Sequence, residues 1–319
     1  MNRRGFFKHA LKMAAASYLA LFSKAAPLFS QILPASKSSG IPMRPLGRTG
    51  FQATLFGLGG EGILRTFGRR KEAVPVIERA FELGVNYADT APAYAQSQDY
   101  YGEVFRRDPG KRDKIFLASK THERSYQGSM RLLEESLRRL GTDHLDLWQL
   151  HDLREQSDLD EIFSKEGAIH AVEEAKKKGL IRFAGITGHH NPFILKQAAE
   201  RYDFDTVLAA LNAADIHSFS FIQNFLPIAI EKKMGIIGMK VYSHGKILKE
   251  NLLTPGEAMA YVLSLPVSHV IIGCQTTSEV EENMRLAREF EPLSPEKMAE
   301  LERRTAPFDQ ALTSYKGRA

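Results

Sequence analysis

The chain has 319 residues, of which 43% are hydrophobic and 25% charged, with a net charge of +5. Those values are ordinary for a soluble globular protein, and the length allows one large domain with a large core or two small ones. Basic residues interleave with acidic ones, as in RLLEESLRRLG and AVEEAKKKG, which fits solvated helix faces and excludes a nucleic-acid reader.

In chain order, Asn2-Arg3-Arg4-Gly5-Phe6-Phe7-Lys8 comes first and resembles a twin-arginine export signal. An apolar run from Met13 to Phe22 follows, too short to span a bilayer comfortably. Ser23-Lys24-Ala25 then offers a small-x-small cleavage site. Residues 1–26 are expected to form a signal segment recognised by the twin-arginine translocation machinery, with a periplasmic or other extracytoplasmic destination. Membrane anchoring by an uncleaved signal is the alternative. Residues 27–42, rich in Ser, Pro and Ala, read as a linker, and 43–319 as the folded domain.

MRPLGRTGFQATLFGLGG begins that domain as a hairpin turning at Gly50, followed by an apolar strand at 54–58. Helical and extended patterns then alternate. Helices are predicted at 72–84, 97–107, 127–140, 165–178, 192–201, 219–233, 255–264 and 277–288. Strands are predicted at 85–88, 115–119, 145–150, 181–186, 206–211, 235–239 and 269–272. Thr254-Pro255-Gly256-Glu257 and Thr276-Thr277-Ser278-Glu279 read as capping boxes, and Asn191-Pro192 as a helix start. Ser294-Pro295-Glu296 opens a further C-terminal helix. Eight strand–helix units imply parallel strands with right-handed crossovers. The fold class expected is α/β, a (β/α)8 TIM barrel with an N-terminal β-hairpin and a C-terminal extra helix. The Rossmann fingerprint is absent, because the turn after the first strand reads GLGGEGIL. The single cysteine, Cys274, excludes an internal disulfide and multi-cysteine metal sites, and in HVIIGC it reads as a buried thiol.

Asp89 and Tyr94 in NYADTAPAYAQS, Lys120 in FLASKTH and His151 in LDLWQLHD stand at or just after strand ends, where barrel active sites assemble. A free phenol, with a pKa near 10, is a weak acid at neutral pH. An adjacent ammonium is expected to lower that value, a carboxylate to keep the ammonium charged, and a histidine to bond the substrate oxygen. That combination points to carbonyl reduction by hydride from a nicotinamide cofactor. The alternatives are a barrel that binds nicotinamide without turnover, and a glycoside hydrolase, which needs two facing acids where only Asp89 stands.

DTAPAY, the Lys of SKT and the His of LHD on the next strands, PLGRTG and IIGCQTTSEVEEN together resemble the aldo-keto reductase family, from about Met43 to Glu291. The resemblance implies a metal-free barrel that binds NADP(H), with NAD(H) as the alternative, and acts on a small-molecule carbonyl substrate. It implies that Tyr94 is the acid, that Lys120 and Asp89 tune it, and that His151 orients the carbonyl. It also implies cofactor contacts at Gly59, Gly60, Thr187, Gly188, Asn212, Met239, Lys240, Gly273, Gln275, Glu279, Glu282 and Asn283. Thr187-Gly188 stands where the family often has Ser-Asn, Leu208 where it has a glutamine, and Glu279 where many NADP-preferring relatives carry a base. Glu279 is expected either to face the adenosine ribose or to complete its capping box. His189-His190 reads as a polar pair ahead of a helix. Segments 61–71, 121–126, 152–164 and 213–218 are expected to line the substrate pocket.

Overall fold

The computed structural model describes residues 33–36 and 40–317. The expected signal segment, 1–26, lies outside them. Of the expected linker, Ser36 pairs with Met43 through two backbone hydrogen bonds of 2.9 and 3.0 Å.

The hairpin is antiparallel, β1 (Met43–Pro45) with β2 (Gln52–Thr54), and turns through Gly50 at φ 76°. Eight parallel strands follow and close on themselves: β3 (Phe56–Gly62), β4 (Tyr87–Asp89), β5 (Phe116–Thr121), β6 (Leu145–Leu150), β7 (Ile181–Gly188), β8 (Thr206–Ala210), β9 (Gly235–Met239) and β10 (His269–Cys274). Strands buried on both faces read as continuous apolar runs, as LDLWQL does with all six residues buried. The barrel interior is filled by Leu46, Tyr87, Phe116, Ala118, Leu147, Leu208, Ile237 and Ile271. Leu46 and Phe51 come from the hairpin, and Phe51 lies 4.6 Å from Phe116, so the hairpin covers the end of the barrel opposite the strand termini that carry chemistry.

The surrounding helices show the expected spacing. Ser97–Arg107 buries Tyr100, Tyr101, Val104 and Phe105 on one side. Tyr126–Leu140 starts on the Ser125 hydroxyl, which accepts from the Gly128 amide, and stops at Gly141 in the left-handed conformation. The Thr254–Glu257 capping box forms in both directions. Three sequence expectations need correction. The first barrel strand is Phe56–Gly62, so the glycines continue a strand where a loop was expected. Segment 152–164, expected as a pocket-lining loop, holds a helix of its own, Gln156–Ile162, ahead of the helix predicted at 165–178, which runs Ala168–Lys177 with Gly167 as its N-cap. The helix predicted at 219–233 is Phe221–Asn224 followed by Leu226–Glu231, because Pro227 lacks the N–H that would continue the first.

Candidate active site

The C-terminal ends of the strands open into a cleft of about 1010 Å3. Asp89 ends β4, Tyr94 sits in the turn after it, Lys120 lies near the end of β5, and His151 follows β6. The parallel register sets Asp89 beside Ala118 and Lys120 beside Gln149, so the termini converge. The Lys120 ammonium donates to Asp89 Oδ2 at 2.6 Å and to the Thr90 carbonyl at 2.9 Å, with both side chains of the ion pair essentially unexposed. The Gln149 amide donates to Asp89 Oδ1 at 3.5 Å. Tyr94 Oη and His151 Nε2 face one another at 3.5 Å, with their rings edge to face. Tyr94 and His151 line the cleft, and Lys120 lies beneath them.

Burial dominates the electrostatics. It pushes Lys120 below its ordinary value and Asp89 above its own, against the attraction between them. It lowers His151 well below 6.5, and Lys120, His189, His122 and Arg124 add to that, so the imidazole is neutral at neutral pH. The expected lowering of the Tyr94 phenol does not occur in the protein alone. Burial raises it well above 10, Asp89, Glu61 and Asp152 reinforce the rise, and Arg65 opposes it. The physical reason is that the Lys120 ammonium lies over the ring, 4.5 Å from its centroid, with its hydrogen bonds directed elsewhere.

Of the remaining expected contacts, Gly59, Gly60, Thr187, Met239, Lys240, Gly273, Gln275, Glu279, Glu282 and Asn283 line the cleft. Two do not. A Cβ on Gly188 would point at Leu195 and the Leu153 carbonyl, towards the helical layer. Asn212 is buried behind the wall, donating to the Lys240 carbonyl at 3.1 Å and to Tyr315 Oη at 2.8 Å. The glycines serve the protein's own packing. A Cβ on Gly60 would stand 2.7 Å from the Asp89 carbonyl and 2.8 Å from the Tyr94 ring, and one on Gly273 would stand 2.7 Å from the Glu61 backbone. Thr187 Oγ1 is occupied, accepting from the Asp152 amide at 2.7 Å. Glu282 pairs with Arg285. Glu279 forms half of the expected box: Thr276 Oγ1 accepts from its amide, while its carboxylate caps the Gln275 amide at 2.7 Å. Segment 213–218 does not reach the cleft, and Leu208 does. The Cys274 thiol is buried and pushed up to about 12.

Segments 61–71, 121–126 and 152–164 reach the cleft as expected, and they bring to its mouth polar groups that the sequence had not singled out. Glu61 lies near the end of β3 and pairs with Arg65 at 2.8 Å. Burial alone would raise its carboxyl, but Lys240, Arg65, His244 and Lys120 together hold it below the usual value. Arg65 also stands 5.3 Å from the centroid of the Tyr94 ring. Asp152, directly after His151 and with φ 56°, takes Arg154 on one side and His189 at 3.3 Å on the other. His189 is lowered to about 4, by burial first. A charge inside GLGGEGIL and an aspartate adjoining a strand-end histidine were visible signals for Glu61 and Asp152.

A closed eight-stranded (β/α)8 barrel with tyrosine, lysine, aspartate and histidine gathered at its carboxyl mouth defines an oxidoreductase class of site. Residues 55–256 match the model of the aldo/keto reductase family, and the chain belongs to that family. It is 27% identical to the L-galactose dehydrogenase of Arabidopsis thaliana over 291 residues, covering 79% of this chain and 90% of that protein. It is 26% identical over 242 residues to a D-threo-aldose 1-dehydrogenase of a Pseudomonas species, covering 66% of this chain and 70% of that one. Its fold is similar to that of an aldo-keto reductase from Bacillus halodurans solved in its holo form, with a TM-score of 0.69, 24% identity, and coverage of 83% and 96%. The protein is therefore an oxidoreductase.

Proposed function

We propose that the chain reduces aldehyde or ketone carbonyls to alcohols, with NADPH or NADH as hydride donor and Tyr94 as general acid. The observation that carries this is the convergence of Tyr94 Oη and His151 Nε2 above the buried Lys120–Asp89 pair, at the inner end of the cleft. The residues present fit a dinucleotide. The volume is at the upper end of ordinary ligand sites, about 300–1000 Å3. The cleft runs from Tyr94 to Asn283, and Lys240 presents in it an ammonium that makes no hydrogen bond or ion pair among the described residues. Bound there, the cofactor supplies hydride. The chain's own part is to hold the carbonyl oxygen between the Tyr94 hydroxyl and the neutral His151 ring, and to deliver the Tyr94 proton as negative charge develops on that oxygen. Lys120, which the Asp89 carboxylate helps to keep charged, stabilises the phenolate that remains. The raised phenol supports a proton donor that is fully loaded at neutral pH.

The wall nearest Tyr94 carries Glu61, Arg65, His122, Asp152, Arg154 and His189, which suits a hydroxylated carbonyl compound over an apolar aldehyde. The sugar-dehydrogenase names of two relatives support the same class. Fluorescence titration with NADPH and NADH, followed by turnover on a panel of hydroxylated and apolar aldehydes and of quinones, tests the reading. Binding without turnover would favour the second reading, a nicotinamide-binding sensor, for which the displacement of Gly188 and Asn212 from the cleft speaks.

Residues 1–26 support a further proposal, export through the twin-arginine machinery, motivated by Arg3-Arg4 ahead of Phe6-Phe7-Lys8. Replacing both arginines with lysine should strand the precursor in the cytoplasm. Unchanged extracytoplasmic yield of that variant rejects the proposal.

A further inference from the structure

We infer that the C-terminal segment, residues 309–317, is a strap that positions Lys240 for the diphosphate of the dinucleotide, with Tyr315 as the positioning residue. This rests on the function proposed above. Lys240, Ser243 and His244 have φ of 57°, 48° and 57°, a left-handed conformation that side-chain-bearing residues keep only where their surroundings enforce it. The enforcement comes from the far end of the chain. Ser243 Oγ donates to the Leu312 carbonyl. Lys246 Nζ donates to the Ala311 carbonyl and to Ser314 Oγ, each at 2.9 Å. Tyr315 lies edge to face with both His189 and His244, at 5.9 Å each. Its hydroxyl accepts from the Asn212 amide, which also holds the Lys240 carbonyl, and its ring carries the Lys240 ammonium 5.6 Å from the centroid.

The strap is itself anchored. Lys316 Nζ is buried and bonded to Asp215 Oδ1 at 2.5 Å and to the Ser218 carbonyl at 2.8 Å, and the Gly317 amide donates to the His190 carbonyl at 2.9 Å. Segment 213–218, expected to line the pocket, is thus the anchor of the strap. The Lys240 ammonium lines the cleft, rests against the Tyr315 ring and feels the Glu61 and Asp152 carboxylates without a hydrogen bond or ion pair among the described residues, so it retains its donors for an anion. A cation placed in advance binds a diphosphate without the ordering loss that a free lysine side chain incurs.

The test is a fluorescence titration of the full chain with NADPH and with NADH, for wild type, Tyr315→Phe, Tyr315→Ala, Lys240→Met and the Tyr315→Ala/Lys240→Met pair. Amide hydrogen exchange across residues 240–249 is followed without cofactor. Tyr315→Ala should weaken dinucleotide binding about three- to thirtyfold. Tyr315→Phe, which keeps the ring, should weaken it less. With Lys240 already methionine, Tyr315→Ala should matter by less than about twofold, because both changes act on one interaction. Exchange across 240–249 should accelerate in Tyr315→Ala while that of β6 stays unchanged, which separates a local loss from a misfolded variant; Tyr315→Leu replaces it if the alanine variant does not fold. Additive losses in the cycle, or unchanged exchange at 240–249, overturn the inference alone. A wild type that binds neither dinucleotide overturns the proposed function and this inference with it.

Discussion

The Lys120 ammonium meets Tyr94 at the face of its ring, 4.5 Å from the centroid, while its hydrogen bonds go to Asp89 and the Thr90 carbonyl. The lysine therefore gives the phenol no hydrogen bond, and burial, reinforced by Asp89, Glu61 and Asp152, holds the phenol up in the protein alone. A phenol held above 10 keeps its proton across the physiological range.

Tyr94→Phe should reduce the rate of carbonyl reduction by about 10²–10⁴ while leaving cofactor affinity close to wild type. Only the hydroxyl is removed, since Phe preserves the ring that Lys120 faces. Loss of less than about tenfold in kcat/KM, under conditions where chemistry limits, rejects Tyr94 as the acid.

The same groups set the pH profile of reduction. Tyr94 must be protonated, and its pKa is raised above 10, so activity should fall only on the far alkaline side. His151 is lowered well below 6.5, so it stays neutral and should produce no acid limb near 6.5. Steady-state kcat/KM is expected to be flat from about pH 6 to 9. An ionisation near 6.5 that disappears in His151→Asn would reverse the assignment of a neutral imidazole.

Breaking the buried ion pair should harm stability as well as chemistry. Lys120→Met leaves the Asp89 carboxylate buried with only the Gln149 amide, and should destabilise by about 3–5 kcal/mol. Adding Asp89→Asn removes the stranded charge and should recover much of that loss without recovering activity. Denaturant melts of both variants check this; a double variant no more stable than the single one would show that packing, and not the orphaned charge, controls the site.

Cofactor choice is predicted to depend on Glu279, whose carboxylate caps the Gln275 amide at the rim of the cleft. A fixed negative charge there disfavours a 2′-phosphate, so discrimination for NADPH should be weak. Glu279→Arg should tighten NADPH selectively, since a guanidinium matches phosphate oxygens. It should also lose about 0.5–1 kcal/mol of helix-start stability, visible in the melting temperature. A strong NADPH preference in wild type that the substitution leaves unchanged would make Glu279 a helix cap only.

Acid sensitivity should come partly from the barrel interior. His269 is fully buried against Tyr87, 4.2 Å between ring centroids, neither ring nitrogen has a hydrogen-bond partner among the described residues, and its pKa is lowered to about 3. The folded value lies below the unfolded 6.5, so the unfolded chain takes up the proton first. Stability is full above about pH 6.5 and is lost as pH falls towards 3, on the order of 4 kcal/mol from this group alone. His269→Leu should match wild type within about 1 kcal/mol at pH 7 and exceed it at pH 4. Parallel stability curves for the two proteins across that range would remove His269 from the account.

The sequence alone was enough to locate the barrel and the four central residues. Most barrel-strand residues are buried on both faces, so the strands read as short, largely apolar runs, and chemistry in such a barrel sits where those runs end. Asp89, Tyr94, Lys120 and His151 were legible for that reason, as was the helix Ser97–Arg107 from its apolar period. The broken helix at Pro227 was legible in principle, since proline removes the donor that a continuous helix needs.

What only the tertiary structure decided depends on direction and on distant partners. Gly188 and Asn212 stand at strand ends like their neighbours, but the pleat turns one to the helices and packing draws the other behind the wall. The sign of the shift at Tyr94 required the depth of burial and the side of the ring that Lys120 meets. Tyr315, 75 residues beyond Lys240 and in an unpatterned stretch, gives no local signal that it underlies that lysine. Periodicity reports which face of an element is buried; it carries no information about which remote segment does the burying.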